Sequence, residues 1–193
     1  MSDKDYTFAK GLETIYEFNK KDKDSLPPVD KWNPDFCGDI DMKIMRNGQW
    51  FYMGTEIKRP AMVKLFSGIL RLDSDNCYYL VTPVEKVRIT VEDAPFVATT
   101  LISELKKDSI NNLYFVTNVN EKILLSKDNP LEIKINKETE EPSPYILVRK
   151  NLKALISRSV FYELIELASK KNIDGKEHLT LESNGEIFRI YEY

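Results

Sequence analysis

The side chains best suited to bind an anion are two arginines and a lysine at the ends of predicted elements. Arg59 and Arg158 each stand just before an apolar helical stripe, and Lys86 lies at the turn of a predicted hairpin. A guanidinium grips phosphate or carboxylate through paired hydrogen bonds, and an ammonium group adds a point charge. The alternative role of either arginine is a salt bridge that pins a helix to a sheet.

Three aromatic side chains could provide a flat surface on which a nucleotide base stacks: Trp32, Trp50 and Phe96. Each is also of the type that fills a hydrophobic core, which is the commoner role. Together with the cations, they predict a site for an anionic, nucleotide-like small molecule.

Groups that could perform catalysis or bind a metal are sparse. His178 is the only histidine, so no Ser-His-Asp triad with a spare base is evident. One histidine with two scattered cysteines, Cys37 and Cys77, cannot supply a structural zinc site. Asp39 and Asp41 could bind a divalent cation or share a proton from one face of a strand, although a solvated face is commoner. The dispersed glycines form no phosphate loop. We therefore predict a protein that is not an enzyme and carries no metal or cofactor.

The two cysteines are too few for a disulfide framework, and a reducing compartment would keep both as thiols. Cys37 and Cys77 are predicted to be small buried hydrophobic residues. The alternative is a redox role, in which Cys37 acts as a sensor with a reactive thiolate.

Composition excludes several classes of function. The 193 residues carry a formal net charge of -3 and have a pI near 5.4, which argues against a nucleic-acid partner. No apolar run approaches the ~18 residues that span a bilayer. We expect a cytoplasmic protein without membrane contact, and hydrophobic residues at 42% predict a folded globular chain.

Residues 1–26 are predicted to form an N-terminal helix, over 7–20, and a linker. Residues 27–93 are predicted to form an α+β domain with a hairpin around Asn47-Gly48, a helix that begins at Pro60, and a second hairpin.

Residues 94–193 are predicted to form a second, β-rich α+β domain. A helix follows Ser157 or Ser159, and a last hairpin turns at Asn184-Gly185. The segment Thr99 to Lys107 is compatible with either a strand or a helix.

Superposing the two predicted helices suggests an internal duplication with the order hairpin, helix, hairpin. At one constant offset, five residues of the first half (Ile57, Arg59, Leu65, Asp75, Leu80) match five of the second (Ile156, Arg158, Leu164, Asp174, Leu179). The predicted fold class is α+β with two β-rich halves.

Four segments resemble the bacterial family of domain of unknown function 1285: Pro27 to Pro34 (PPVDKWNP), Cys37 to Met42 (CGDIDM), Leu80 to Lys86 (LVTPVEK) and Val91 to Phe96 (VEDAPF). The resemblance implies a duplicated core and a C-terminal domain similar to a pleckstrin-homology barrel with a helix. It also implies a nucleotide-like ligand between the two domains and a signalling role linked to oxidative stress. It transfers no catalytic residue.

The leading prediction is a non-catalytic sensor that binds an anionic, nucleotide-like molecule at the interface of its two domains and acts on a signalling partner. The alternative is a protein-interaction module that uses the surface of the C-terminal domain without a small ligand. An enzyme would need a nucleophile or a buried carboxylate pair that the sequence does not display.

Overall fold

The computed structural model of the protein describes residues 26–105 and 111–192. Two units divide the chain, one ending at Asp93 and the other beginning at Ala94. Both are β-rich, and the described residues contain two α-helices. The predicted α+β class with two β-rich halves is confirmed. The helix predicted over residues 7–20 lies outside the described residues.

Tight-turn residues divide the N-terminal unit into six strands and one helix. Gly48 and Gly54 have φ angles of 85° and 72°, which favour glycine at these two turns. A 3₁₀ turn, Val29–Lys31, precedes the first strand. The elements are β1 (Phe36–Ile44), β2 (Trp50–Tyr52), β3 (Thr55–Glu56), α1 (Pro60–Gly68), β4 (Leu70–Leu72), β5 (Tyr78–Val81) and β6 (Lys86–Val91).

The six strands of this unit form one sheet in the order β3-β2-β1-β6-β5-β4. The strands that come first and last along the chain, β1 and β6, are neighbours at the centre of the sheet and pair in parallel. All other neighbouring strands are antiparallel. Pro60 occupies the start of α1, where a missing N–H costs nothing. The Trp50 ring stacks on Phe66 of α1 at a centroid distance of 6.1 Å.

The C-terminal unit has a six-stranded sheet that curls into a half-barrel, and a separate three-stranded sheet. The larger sheet has the order β10-β11-β12-β7-β8-β9, and β13-β14-β15 form the smaller one. The elements are β7 (Phe96–Leu105), β8 (Asn111–Thr117), β9 (Lys122–Leu124), β10 (Leu131–Ile135), β11 (Pro142–Arg149), β12 (Leu152–Ile156), α2 (Arg158–Leu167), β13 (Ser169–Ile173), β14 (Lys176–Ser183) and β15 (Glu186–Glu192).

The segment that was compatible with strand or helix, Thr99 to Lys107, is a strand as far as it is described, because β7 continues to Leu105. Antiparallel pairing with β8 from Ala98 to Leu105 satisfies the backbone groups on that side of β7. The hairpin predicted around Asn184-Gly185 is confirmed, since Ser183 pairs with Glu186 across that turn.

The duplication is visible in the two six-stranded sheets. Read from β9, the C-terminal sheet has the order β9-β8-β7-β12-β11-β10, which repeats β3-β2-β1-β6-β5-β4 strand for strand. In both sheets the first and sixth strands pair in parallel. The sequence therefore repeats a six-stranded sheet.

The residue matches predicted from the two helices do not follow this repeat. Along the chain, helix α1 lies between β3 and β4, the third and fourth strands of the first repeat. Helix α2 instead follows β12, the sixth strand of the second repeat. Matching Arg59 with Arg158, and the residues around them, was therefore wrong. Two amphipathic helices share a 3.6-residue period wherever they stand, so their superposition carries no information about strand order.

Across the described residues, neither helix is long and apolar enough to cross a membrane.

Candidate functional site

A row of polar side chains crosses four adjacent strands of the N-terminal sheet. Arg71 of β4 is opposite Tyr79 of β5, Tyr79 is opposite Arg88 of β6, and Arg88 is opposite Asp39 of β1. Directly opposed residues point to the same face of a sheet. Phe36 and Lys86 form the adjacent opposed pair on β1 and β6. We call this set the charged face; its residues are Phe36, Asp39, Arg71, Tyr79, Lys86 and Arg88.

Arg71 closes one end of the charged face. Its Nε and Nη2 donate to the two carboxylate oxygens of Asp73 at 2.5 and 3.0 Å. Its Nη1 donates to the carbonyl oxygens of Val29 and Trp32 at 3.1 and 2.9 Å. With only 16% of its side chain exposed, Arg71 ties the proline-rich segment to β4 and has little capacity left for a ligand.

Tyr79 and Lys86 form the middle of the charged face. The Lys86 Nζ lies 3.3 Å from Asp73 Oδ2 and 4.7 Å from the centroid of the Tyr79 ring. The Tyr79 hydroxyl donates to Asp75 at 2.7 Å, and this hydrogen bond raises the pKa of Tyr79 to about 12. Burial alone would raise the pKa of Asp73, but hydrogen bonds from Arg71 and Lys86 hold it below its ordinary value.

Arg88, Asp39 and Phe36 form the open end of the charged face. The Arg88 Nε and Nη2 each donate to one oxygen of Asp39 at 2.7 Å, and this hydrogen-bonded contact lowers the pKa of Asp39. The Arg88 and Asp39 side chains are 45% and 59% exposed. The Arg88 guanidinium lies 6.0 Å from the centroid of the Phe36 ring, and that residue is 52% exposed.

A β-bulge in β1 sets the position of Asp39. Phe36 is opposite Lys86 and Asp39 is opposite Arg88. Between these two pairs, β1 therefore contains one residue more than β6. Gly38 has a φ angle of 105°, where a side chain would be strained. Because of the extra residue, Asp39 rather than Gly38 faces the Arg88 guanidinium.

Of the N-terminal residues predicted to bind a ligand, only Lys86 lies on the charged face. Arg59 is exposed at the N-cap position of α1 and forms no ion pair with another described residue. Trp32 is half-buried and contributes its carbonyl oxygen to Arg71. The residue Trp50 is 1% exposed. The prediction that it stacks on a base is wrong, because its ring packs in the core against α1.

The two predicted C-terminal residues also lie apart from the charged face in sequence and in role. Arg158 is exposed, and its Nε donates to the Tyr162 hydroxyl at 3.0 Å. Phe96 is fully buried. The Arg149 guanidinium lies over its ring, 4.9 Å from the centroid of the Phe96 ring. The prediction that Phe96 stacks on a base is therefore wrong, because its ring is enclosed. Arg158 belongs to the C-terminal unit, whereas Arg59 and Lys86 belong to the N-terminal one.

The described residues contain no cluster of His, Cys, Asp and Glu that could hold a metal ion. His178 is buried in β14. Cys37 and Cys77 are half-buried free thiols. Asp39 accepts two hydrogen bonds from Arg88, and Asp41 is exposed on the same strand.

Sequence reasoning missed Phe36 and Arg88. The signal that could have found Arg88 is the alternation in β6, where Lys86 and Arg88 are two residues apart and therefore point to one face. No local signal predicted Phe36, because its position depends on the parallel pairing of β1 with β6, which are about as far apart as two strands of this unit can be.

Comparison with known proteins gives matches along nearly all of the described chain. A model described as the domain of unknown function (DUF1285), N-terminal domain, matches residues 27–94. A model described as the protein of unknown function (DUF1285), C-terminal domain, matches residues 95–190. No curated protein matches the sequence.

Two similar crystal structures cover most of their own chains. A DUF1285 family protein from Silicibacter pomeroyi DSS-3 is 44% identical, covers 88% of this chain and 89% of its own, and superposes with a TM-score of 0.78. A DUF1285 family protein from Shewanella baltica OS155 is 27% identical, covers 66% of this chain and 91% of its own, and has a TM-score of 0.52.

Proposed function

The chain belongs to the DUF1285 family, and for this member we propose a non-catalytic function: binding of an anionic, nucleotide-like small molecule at the open end of the charged face. The observation that carries the proposal is the half-exposed Phe36 ring beside the exposed Arg88 guanidinium, 6.0 Å apart. A base has an aromatic surface on which to stack, and its phosphate has a planar fork of donors within reach.

The chemistry of the two contacts suits a nucleotide. Stacking of a base on an aromatic side chain is worth about 1–3 kcal/mol and tolerates any base, since each has a π-face. Arginine binds phosphate through two parallel hydrogen bonds, as it now binds Asp39. Lys86, two residues before Arg88 on the same face, adds a second positive charge.

Properties of Tyr79 and Asp75 support binding rather than catalysis. The Tyr79 hydroxyl of the charged face and the carboxylate of Asp75 form the hydrogen-bonded pair that most resembles a nucleophile with its base. The pKa of Tyr79 is raised to about 12 by this contact, so the hydroxyl keeps its proton near neutral pH. An activated nucleophile needs the opposite shift.

The sensor and signalling roles, and a ligand position between the two domains, follow from the resemblance alone and stay predictions. The proposed site uses neither Arg59 nor Arg158.

Calorimetric titration with 5′-AMP and ADP tests the proposal on four proteins. The unaltered protein should bind, Phe36→Ala should bind roughly 5- to 150-fold more weakly from the lost stacking, and Arg88→Gln should also lose affinity. Arg59→Ala is the control, because this exposed arginine lies outside the charged face, and its affinity should be unchanged. Equal affinity in Phe36→Ala, Arg88→Gln and the unaltered protein would place the ligand elsewhere.

A second candidate function, docking of a protein on the C-terminal domain, is favoured by the exposed face of α2. Tyr162 and Leu167 are 54% and 51% exposed, and Arg158 is hydrogen-bonded to Tyr162. Tyrosine and arginine are enriched among the residues that dominate binding energy at interfaces. Capture of one partner that is lost in Tyr162→Ala and retained in Phe36→Ala would favour this function.

A further inference from the structure

Asp39 already accepts the hydrogen bonds of one of the two donor edges of Arg88, the edge formed by Nε and Nη2. Its two carboxylate oxygens accept from Nε and Nη2, both at 2.7 Å, which is the fork that Arg presents to phosphate. As part of the same chain, the carboxylate acts as a tethered competitor, and tethered groups reach effective concentrations on the order of millimolar. A ligand therefore reaches this fork only by displacing Asp39.

We infer that Asp39 restricts the open end of the charged face to ligands that carry a phosphate dianion, and that it excludes monoanions of the same size. This inference rests on the proposed function and names the ligand class of that site. A monoanion that displaces Asp39 replaces one negative charge beside Arg88 with another, so it gains no electrostatic attraction to the arginine. A phosphate monoester carries about -1.5 to -2 at pH 7, so it gains attraction that the single charge of a phosphodiester does not provide.

The charges around the site strengthen this discrimination. Arg71, Lys86 and Arg88 are balanced by Asp39, Asp73 and Asp75, so the formal charges cancel. Taken together with Asp73 and Asp75, the charged face therefore has no net charge to attract anions. Net positive charge appears at Arg88 and Lys86 only when Asp39 moves away, and a ligand of higher charge benefits more from it.

The local backbone allows Asp39 to move. It lies between two register shifts of the β1–β6 pairing, one on each side, and it follows Gly38 with its φ angle of 105°. The carboxylate is 59% exposed, so leaving Arg88 returns it to water without crossing the core. Bulges commonly re-aim one side chain, and they disrupt the hydrogen-bond ladder only locally.

Affinities of the full-length protein for 5′-AMP and for 3′,5′-cyclic AMP test the inference, because the two ligands share a base and differ in phosphate charge. We expect the unaltered protein to bind 5′-AMP more tightly by at least about tenfold, the equivalent of roughly 1.4 kcal/mol. Asp39→Asn should bind cyclic AMP at least about tenfold more tightly than the unaltered protein does. The preference for 5′-AMP over cyclic AMP should therefore be smaller in this variant.

Two further variants separate Asp39 from general effects of charge. Asp41→Asn removes one negative charge from an exposed position of the same strand, and it should leave both affinities unchanged. Adding Arg88→Gln to Asp39→Asn should abolish the gain for cyclic AMP, since the freed guanidinium is its cause.

The outcomes for the inference and for the proposed function differ. If the unaltered protein and Asp39→Asn bind both nucleotides with the same affinities, the inference is overturned and the proposed function stands. If only Asp39→Asn binds, both are overturned, because Asp39 then excludes the dianion as well as the monoanion from the unaltered protein. If neither protein binds either nucleotide, both are overturned.

Discussion

Arg71 and Arg88 show how one residue type takes two roles on a single sheet face. Each forms a two-point contact with an aspartate. Arg71 is 16% exposed and also binds two backbone carbonyl groups, whereas Arg88 is 45% exposed and lies beside an exposed ring. Removing Arg71 would take away the hydrogen bonds that join the Val29 and Trp32 carbonyl groups to β4. The exposed pair contributes little to folding and is available for binding.

A buried carboxyl group makes stability depend on pH in a direction opposite to that of the ion pairs. Glu85 is 3% exposed, and within the described residues its Oε2 has no hydrogen-bond partner. Burial raises the pKa of Glu85. Ionising Glu85 in the folded state is unfavourable. Its contribution to the free energy of unfolding is therefore largest at low pH and is lost as the pH rises through the raised pKa. We expect Glu85→Gln to raise the melting temperature at pH 8 and to have no such effect at pH 4.

Glu92 is the matched control for this prediction. A hydrogen bond from Lys43, joined by the backbone N–H of Arg46, lowers the pKa of Glu92. The stabilisation that Glu92 provides to the folded state is present above the ordinary glutamate pKa. It is lost as the pH falls through the lowered pKa of Glu92. Glu92→Gln should therefore lower the melting temperature at pH 8, and the loss should fade in acid. Shifts of the same sign for both variants at pH 8 would contradict the role of burial at Glu85.

Helix α2 shows how far hydrophobic periodicity determines an element. The stripe Val160, Phe161, Leu164, Ile165 and Ala168 predicted the helix that the structure places at Arg158–Leu167. Val160 and Leu164 are its fully buried residues, so the apolar face that contacts the sheet is narrower than the stripe. Packing on a curved sheet selects the central positions, which the sequence pattern alone does not distinguish.

Two leucines of α2 provide a matched test of that face. Leu164 is 0% exposed and Leu167 is 51% exposed, and both would lose the same atoms on substitution by alanine. We expect Leu164→Ala to lower the free energy of unfolding by roughly 2–5 kcal/mol, because it leaves a cavity. Leu167→Ala should cost less than about 1 kcal/mol. Urea denaturation followed by circular dichroism measures both; equal losses would show that α2 packs through a different face.

Local patterns predicted most strands and the hairpins at Asn47-Gly48 and Asn184-Gly185, because alternation and turn residues act over a few positions. They did not predict β13, whose sequence Ser169–Ile173 is rich in lysine. Lysine is common on edge strands, where it discourages further pairing. The site was predicted less well: Lys86 was found, but Arg88 meets Phe36 and Asp39 only through long-range parallel pairing and a bulge.

At the scale of the whole molecule, each unit repeats one strand order around its own buried residues. Phe66 belongs to the core of the N-terminal unit, and Leu164 belongs to that of the C-terminal unit. Domains with their own cores can unfold in separate steps, and a substitution then affects mainly the step of its own domain. Both tryptophans of the chain, Trp32 and Trp50, precede Asp93. Tryptophan fluorescence therefore reports on the N-terminal unit, while circular dichroism reports on both.

This distribution of tryptophan allows the two steps to be separated in the full-length chain. Phe66→Ala removes the partner of Trp50 and should cost roughly 3–5 kcal/mol, which lowers the urea midpoint of the fluorescence transition. Leu164→Ala should leave that midpoint unchanged and lower the midpoint of a transition seen only by circular dichroism. If Leu164→Ala shifts the fluorescence midpoint as much as the circular dichroism midpoint, the two units unfold as one cooperative structure, and the repeated sheets depend on each other for stability.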